Sequence, residues 1–215
     1  MVKDGVLENV SEIYGAHNVP KRASAGKILC KTGYMMAGIT FLRFKVHGVG
    51  GHGSEADKCK NPVPIAAEVY LALNKILDEG IKTNPRLKGS IPMFVGSTAK
   101  NVIPEFAVIE GTLRNFDRKF VEDLTLKMEN TAKEICEKNG FEIEMNNEVF
   151  VHRAVENSEK QVDWLKKAVV GLFGEERLGE EGCPIYASED FSEFTVDIPG
   201  CFWFHAHGIN EPKVT

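Results

Sequence analysis

The sequence predicts an α+β fold in which a compact unit of two helices and four strands, residues 40–151, is inserted between the two halves of a second domain. Three observations carry this expectation. Leu42, Phe44 and Val46 alternate with Arg43, Lys45 and His47, the two-residue period of a strand with one wet face. Two long stretches, 61–79 and 119–139, place their apolar residues along one helical face. Runs rich in Val, Ile, Phe and Thr, 90–98 and 105–116, lie between those helices, and 141–145 follows the second.

In chain order, Met1 to Leu7 reads as the last turns of a helix broken at Gly5. Val10 to Ala16 is a short strand-like run into His17, ended by Asn18 and Pro20, with a loop through Lys27. Ile28 to Gly38 reads as a strand or strand pair. After the alternating strand from Thr40, Gly48 to Ser54 (GVGGHGS) reads as a loop. Asn61 then caps a helix that has Pro62 at its first position and Gly80 at its exit. Its core face carries Ile65, Ala66, Val69, Leu73, Ile76 and Leu77. Two strands joined across Ala99 to Pro104 follow, and then a second helix with Val121, Leu124, Met128, Ala132 and Ile135 inward, stopped at Gly140. A last strand alternates Phe141, Ile143 and Met145 with Glu142 and Glu144. This βαββαβ order is the split βαβ, ferredoxin-like arrangement, with two helices on one face of a four-stranded sheet. Beyond it come a helix over Ser158 to Phe173, a Gly/Glu-rich loop and an apolar segment at Phe202 to Phe204. The expected divisions are 1–39, 40–151 and 152–215.

Composition narrows the function classes. The 215 residues are 43% hydrophobic and 27% charged, the make-up of a globular protein able to bury its own core. The net charge of −5 repels phosphate backbones and anionic lipid, so no nucleic-acid or membrane partner is expected. The RNA-binding reading of a βαββαβ unit also lacks the aromatic RNP motif on a central strand. No apolar stretch approaches the roughly 20 residues that cross a bilayer, and the charged N-terminus does not read as a signal peptide, which makes a cytoplasmic location the expectation. The five cysteines are odd in number, scattered and without a CxxC pair, and read as reduced thiols, mostly buried.

Several residues could carry chemistry, each beside a plainer role. His52 is flanked by glycines that let the backbone approach a ligand while the imidazole donates or accepts. The same segment also reads as a simple turn. Asn101, on the connection between two strands, could offer an amide to a carboxylate, or could tolerate a left-handed turn. Arg114, at a strand exit, could form a forked pair with a carboxylate, or sit solvated at an edge. His17, after a strand-like run, is placed as metal ligands often are, or is structural. His205 and His207 could pinch a metal or belong to a weakly ordered tail, and Glu189 with Asp190 could orient histidines or cap the following helix.

Taken together, YGAHNVP (14–20), GHGSEADKCKNPVPIAA (51–67), AKNVIPEFAVIEGTLRNFD (99–117) and ASEDFSEF (187–194) resemble the metallo-amidohydrolase family of aminoacylases, carboxypeptidase G-type enzymes, hippurate hydrolase and plant indole-acetyl-amino-acid hydrolases. The resemblance covers nearly the whole chain. It implies a zinc-peptidase-like α/β catalytic domain holding two divalent metal ions, zinc or manganese, with an inserted lid that is also the dimerisation domain and that matches residues 40–151. It further implies a homodimer and an N-acyl amino acid or peptide substrate. By resemblance His17 is a metal ligand, His52 is the lid histidine that steadies the oxyanion in a neighbouring subunit's site, and Asn101 and Arg114 help bind the substrate carboxylate. The family's Cys-x-His or His-x-Asp ligands, bridging acidic ligand and Glu-Glu general base have no counterpart in these residues.

The chain is therefore expected to be the C-terminal portion of a metal-dependent amidohydrolase, inactive alone and binding no metal stably, because a catalytic zinc needs three protein ligands. The alternative is a non-catalytic dimerisation and binding module, a pseudoenzyme.

Overall fold

The computed structural model describes residues 1–19 and 23–207. The Pro20 end of the YGAHNVP stretch, the start of the loop to Lys27 and the tail beyond His207 lie outside the described residues. The strands and longer helices run, in chain order, β1 (Ile13–Val19), β2 (Ile28–Leu29), β3 (Gly33–Met36), β4 (Gly38–His47), β5 (Gly51–His52), α1 (Val63–Thr83), β6 (Lys88–Val95), β7 (Val102–Ile103), β8 (Phe106–Asn115), α2 (Arg118–Lys138), β9 (Glu142–Met145), β10 (Glu148–His152), β11 (Val155–Asn157), α3 (Glu159–Phe173), β12 (Leu178–Gly179) and β13 (Gly200–Ala206). Two compact units emerge. Ile39–Val151 form one, and Met1–Gly38 with the chain from His152 onward form the other.

The Ile39–Val151 unit is built on a five-stranded sheet of order β10, β4, β8, β6, with β9 also pairing β4. β9 runs antiparallel to β4, and β6 antiparallel to β8. The two-residue period decides which face is dry. Leu42, Phe44 and Val46 are buried, whereas Phe41 is 43% exposed and Arg43 turns outward to Glu110. Helices α1 and α2 cover the dry face with Val69, Leu73, Leu77, Val121, Met128 and Ala132 in one core.

Several boundaries differ from the sequence reading, each for a physical reason. Gly80 does not end α1, which continues to Thr83. A Cβ at Gly80 would sit 3.1 Å from methyl carbons of both Leu124 and Leu87, so this glycine serves close helix packing and not termination. Pro62 occupies the cap position, and the Asn61 side chain accepts the Val63 N–H at 3.1 Å. Asp117 caps α2 by accepting the Phe120 N–H at 3.0 Å. The fifth strand, β10, had no counterpart in the sequence reading, and the N-terminal residues form one 3-10 turn, Val2–Asp4, closed by Gly5 at φ 81°.

The core position of Cys136 on α2 has a measurable consequence. Burial, with the Glu68 carboxylate nearby, pushes its thiol from 9.0 up to about 11. The unfolded thiol ionises first, so stability is unaffected below pH 9 and falls as pH rises toward 11, by roughly 2–3 kcal/mol in all. Urea melts of Cys136→Ala across this window are expected to show a shallower alkaline decline than the parent. An unchanged slope contradicts the assignment.

In the other unit, β1 lies parallel to β13, β13 antiparallel to β2, and β2 parallel to β12. Leu29, Met35, Phe202 and Phe204 fill the core beneath this sheet, and β3 pairs with β11. The apolar segment expected at Phe202 to Phe204 is thus a central strand, bonded on both sides.

Candidate functional site

His52 is not in a loop. It ends the two-residue strand β5, which pairs with β7 so that His52 lies opposite Val102. The glycines around it permit close backbone approach: a Cβ at Gly48 would collide with the Lys60 carbonyl and lie 2.7 Å from the Pro62 ring, and one at Gly53 would press on the Asn101 carbonyl at 3.2 Å. The Gly53 N–H donates to that same Asn101 carbonyl at 2.8 Å. His52 and Asn101 are therefore neighbours through backbone pairing, although 49 positions separate them.

The imidazole of His52 is exposed and held at one end. The Ser54 backbone N–H donates to His52 Nδ1 at 3.2 Å, and the Ser54 hydroxyl lies 2.7 Å from the same nitrogen. A ring nitrogen that accepts an N–H is bare, so in the neutral ring the proton is on Nε2. Nε2–H is thereby presented outward as a donor. The Asn101 turn borders an open cleft of ≈ 390 Å³ whose walls include Gly53, Asn61, Ser97 and Lys100.

Arg114 stands elsewhere. It lies opposite Lys88 at the far end of β8, eight residues beyond Phe106. At ~3.4 Å per residue that is about 27 Å along the strand from the end at which the Asn101 turn enters. One small substrate cannot touch Asn101 and Arg114 of the same copy.

His17 belongs to the other unit and lies inside β1, opposite Phe204 of β13, instead of following a strand. Its side chain is half exposed and its Nε2 is bonded to the Glu189 carboxylate, which is 18% exposed. The Phe202 ring packs edge-on against the imidazole with centroids 5.6 Å apart. Of the two roles considered for Glu189, capping is not realised: its side chain makes no cap bond to the 3-10 helix Asp190–Val196 and reaches His17 instead. His205, on β13, accepts the Trp203 indole N–H at Nε2, at 3.1 Å. His207 follows the end of β13, and its backbone N–H bonds the Val19 carbonyl.

An imidazole and a carboxylate are donors suited to zinc or manganese, and His17 and Glu189 meet. Among the described residues no group of three or more His, Cys, Asp or Glu side chains is placed to hold an ion. The two donors that meet here are fewer than the three protein ligands of a catalytic zinc.

The relatives decide the family. Residues 34–140 match the peptidase dimerisation domain. The chain is 33% identical over 216 residues to hippurate hydrolase of Campylobacter jejuni, covering 98% of this chain and 55% of that protein. It is 30% identical to IAA-amino acid hydrolase ILR1-like 4 of Arabidopsis thaliana, covering 95% of this chain and 47% of that one. Its fold matches the crystal structure of Bacillus subtilis YXEP, a dinuclear metal binding peptidase from the M20 family, with a TM-score of 0.72, 23% identity, and coverage of 100% of this chain and 53% of that one. The chain belongs to the M20 family of peptidases and amidohydrolases. It spans about half the length of the curated M20 relatives it matches. No helix among the described residues is long and apolar enough to cross a membrane.

What sequence reasoning missed around His52 is Ser54, whose part in fixing the ring was legible only as a polar residue two positions after a histidine. Glu189 orienting a histidine was one of its two readings, and the partner, His17, lies 172 positions away.

Proposed function

We propose that this chain is the C-terminal portion of an M20 amidohydrolase that cleaves the amide bond of N-acyl amino acids or dipeptides. The Ile39–Val151 unit would be its ferredoxin-like lid and dimerisation domain, and the rest part of its metal-binding catalytic domain. The observation that carries the reading is the outward Nε2–H of His52, locked by Ser54 beside the Asn101 turn. A fixed neutral donor of this kind stabilises the oxyanion that develops when water adds to an amide carbonyl. Metal, when bound by the complete enzyme, supplies the activated water. From this chain His17, oriented by Glu189, would serve as one ligand, and the remaining ligands must come from outside these residues.

His52 and Asn101 act in this reading as one group and Arg114 as another, each serving a different substrate molecule. A twofold dimer provides that arrangement. Strand β6 is an edge of its sheet and exposes Met93, Phe94 and Val95, at 37%, 37% and 42%. An edge of this kind invites pairing with a second copy. Pro92, which lacks an N–H, falls where the β6 register shifts, leaving the Phe94 end to pair. Val95→Lys is expected to convert the dimer to monomer in sedimentation velocity at micromolar concentration. A variant that stays fully dimeric contradicts edge pairing.

The activity is tested with a chimera that joins the N-terminal half of the Campylobacter hippurate hydrolase to this chain. Metal-dependent release of an amino acid from N-benzoylglycine or from a panel of N-acetyl amino acids supports the proposal. A folded chimera that binds two metal ions per chain and cleaves none of them contradicts it, and favours the pseudoenzyme.

A further inference from the structure

Cys30 follows β2 directly and Cys201 is the second residue of β13, so two thiols 171 positions apart share one small core with Val162 beneath α3. They are 1% and 0% exposed, and their sulfurs are 3.5 Å apart. The Asn157 side-chain N–H donates to Cys30 Sγ at 3.6 Å, and Lys166 of α3 adds a positive field. We propose that Cys30 and Cys201 form an oxidative modification site, in which hydrogen peroxide converts the two thiols into one disulfide that ties the two separated segments of this unit together.

The surroundings assign an order to the two sulfurs. The hydrogen bond shared with Cys201, then Lys166 and the Asn157 amide, hold Cys30 below the ordinary thiol value against the opposing effect of burial. Cys201, buried and sharing that bond, is pushed well above it. Cys30 is therefore the first thiolate and the nucleophile. Its sulfur attacks one peroxide oxygen, forming an S–O bond as the O–O bond breaks, and the departing hydroxide takes up a proton to become water. The Cys201 sulfur then attacks the sulfenic sulfur: the S–S bond forms, the S–O bond breaks, and the leaving hydroxide carries off the Cys201 proton as a second water. Two thiols and one peroxide give one disulfide and two waters. The sulfurs need approach by only about 1.5 Å to reach bonding distance. Peroxide is neutral and close to water in size, and reaching these buried sulfurs requires local opening of the packing around them.

Hydrogen peroxide is added to reduced, reductant-free protein, which is then acid-quenched, alkylated with N-ethylmaleimide in denaturant and mapped by mass spectrometry. The expected product is a Cys30–Cys201 cross-linked peptide pair, two hydrogens lighter than the thiols and restored by dithiothreitol, with Cys59, Cys136 and Cys183 alkylated. In Cys201→Ser, Cys30 is expected to stop at the sulfenic acid and to be labelled by dimedone. Full alkylation of both Cys30 and Cys201 in wild-type protein whose Met93 has been oxidised overturns the proposal, as does equal cross-linking of either to the other cysteines. The wild-type map decides the question even if the variant does not fold.

Discussion

Replacing His52 by alanine in the metal-loaded chimera lowers turnover by about 10²–10³, the usual effect of removing one preorganised oxyanion donor. The size follows from where the donor acts. Nε2–H meets little charge in the ground-state carbonyl and most of it in the tetrahedral intermediate, so the loss falls on kcat and leaves KM nearly constant. A factor of 10²–10³ corresponds to roughly 3–4 kcal/mol of transition-state stabilisation. Circular dichroism of the variant checks the fold, since the exposed His52 ring also caps the 3-10 helix Gly53–Lys58 by accepting the Ser54 N–H. An unchanged kcat removes His52 from the chemistry.

Phe44→Ala has the largest expected effect on stability. The ring is fully buried at the centre of the core between β4 and the two helices, and truncation there costs about 3–5 kcal/mol through lost burial and the cavity left behind. Phe41→Ala, three positions earlier and on the opposite face, is expected to cost no more than about 0.5 kcal/mol. Urea denaturation of the two variants measures the difference directly. Equal losses would mean that β4 is not registered as described.

The contrast between Phe41 and Phe44 also marks what could be read from sequence. A ten-residue strand and two 21-residue helices contain enough periods for their buried faces to stand out, and their residues expected in the core are buried except Ile65 and Ile135, which pack against it half-buried. β5 and β7 have two residues each, too few to show a period. Their pairing depends on the close approach of Gly53 to Asn101, which no local pattern records. Gly80 misled because a glycine that permits helix contact and one that ends a helix look alike without the partner helix. His17 with Glu189, and Cys30 with Cys201, are products of the parallel β1–β13 arrangement and its neighbours, joining the two ends of the chain. Asn101 and Arg114 both match positions given to a substrate carboxylate, and only the length of β8 shows that within one copy they stand at opposite ends of the strand.

We propose that His52 is the oxyanion donor and His17 one imidazole ligand of an amidohydrolase whose remaining metal ligands lie outside this chain. Zinc and manganese analysis of the purified, dialysed chain, with an N-benzoylglycine assay on the same sample, tests it most directly. Well under one equivalent of metal and no glycine release above background are the predicted results. Two tightly bound ions with metal-dependent release of glycine would contradict it.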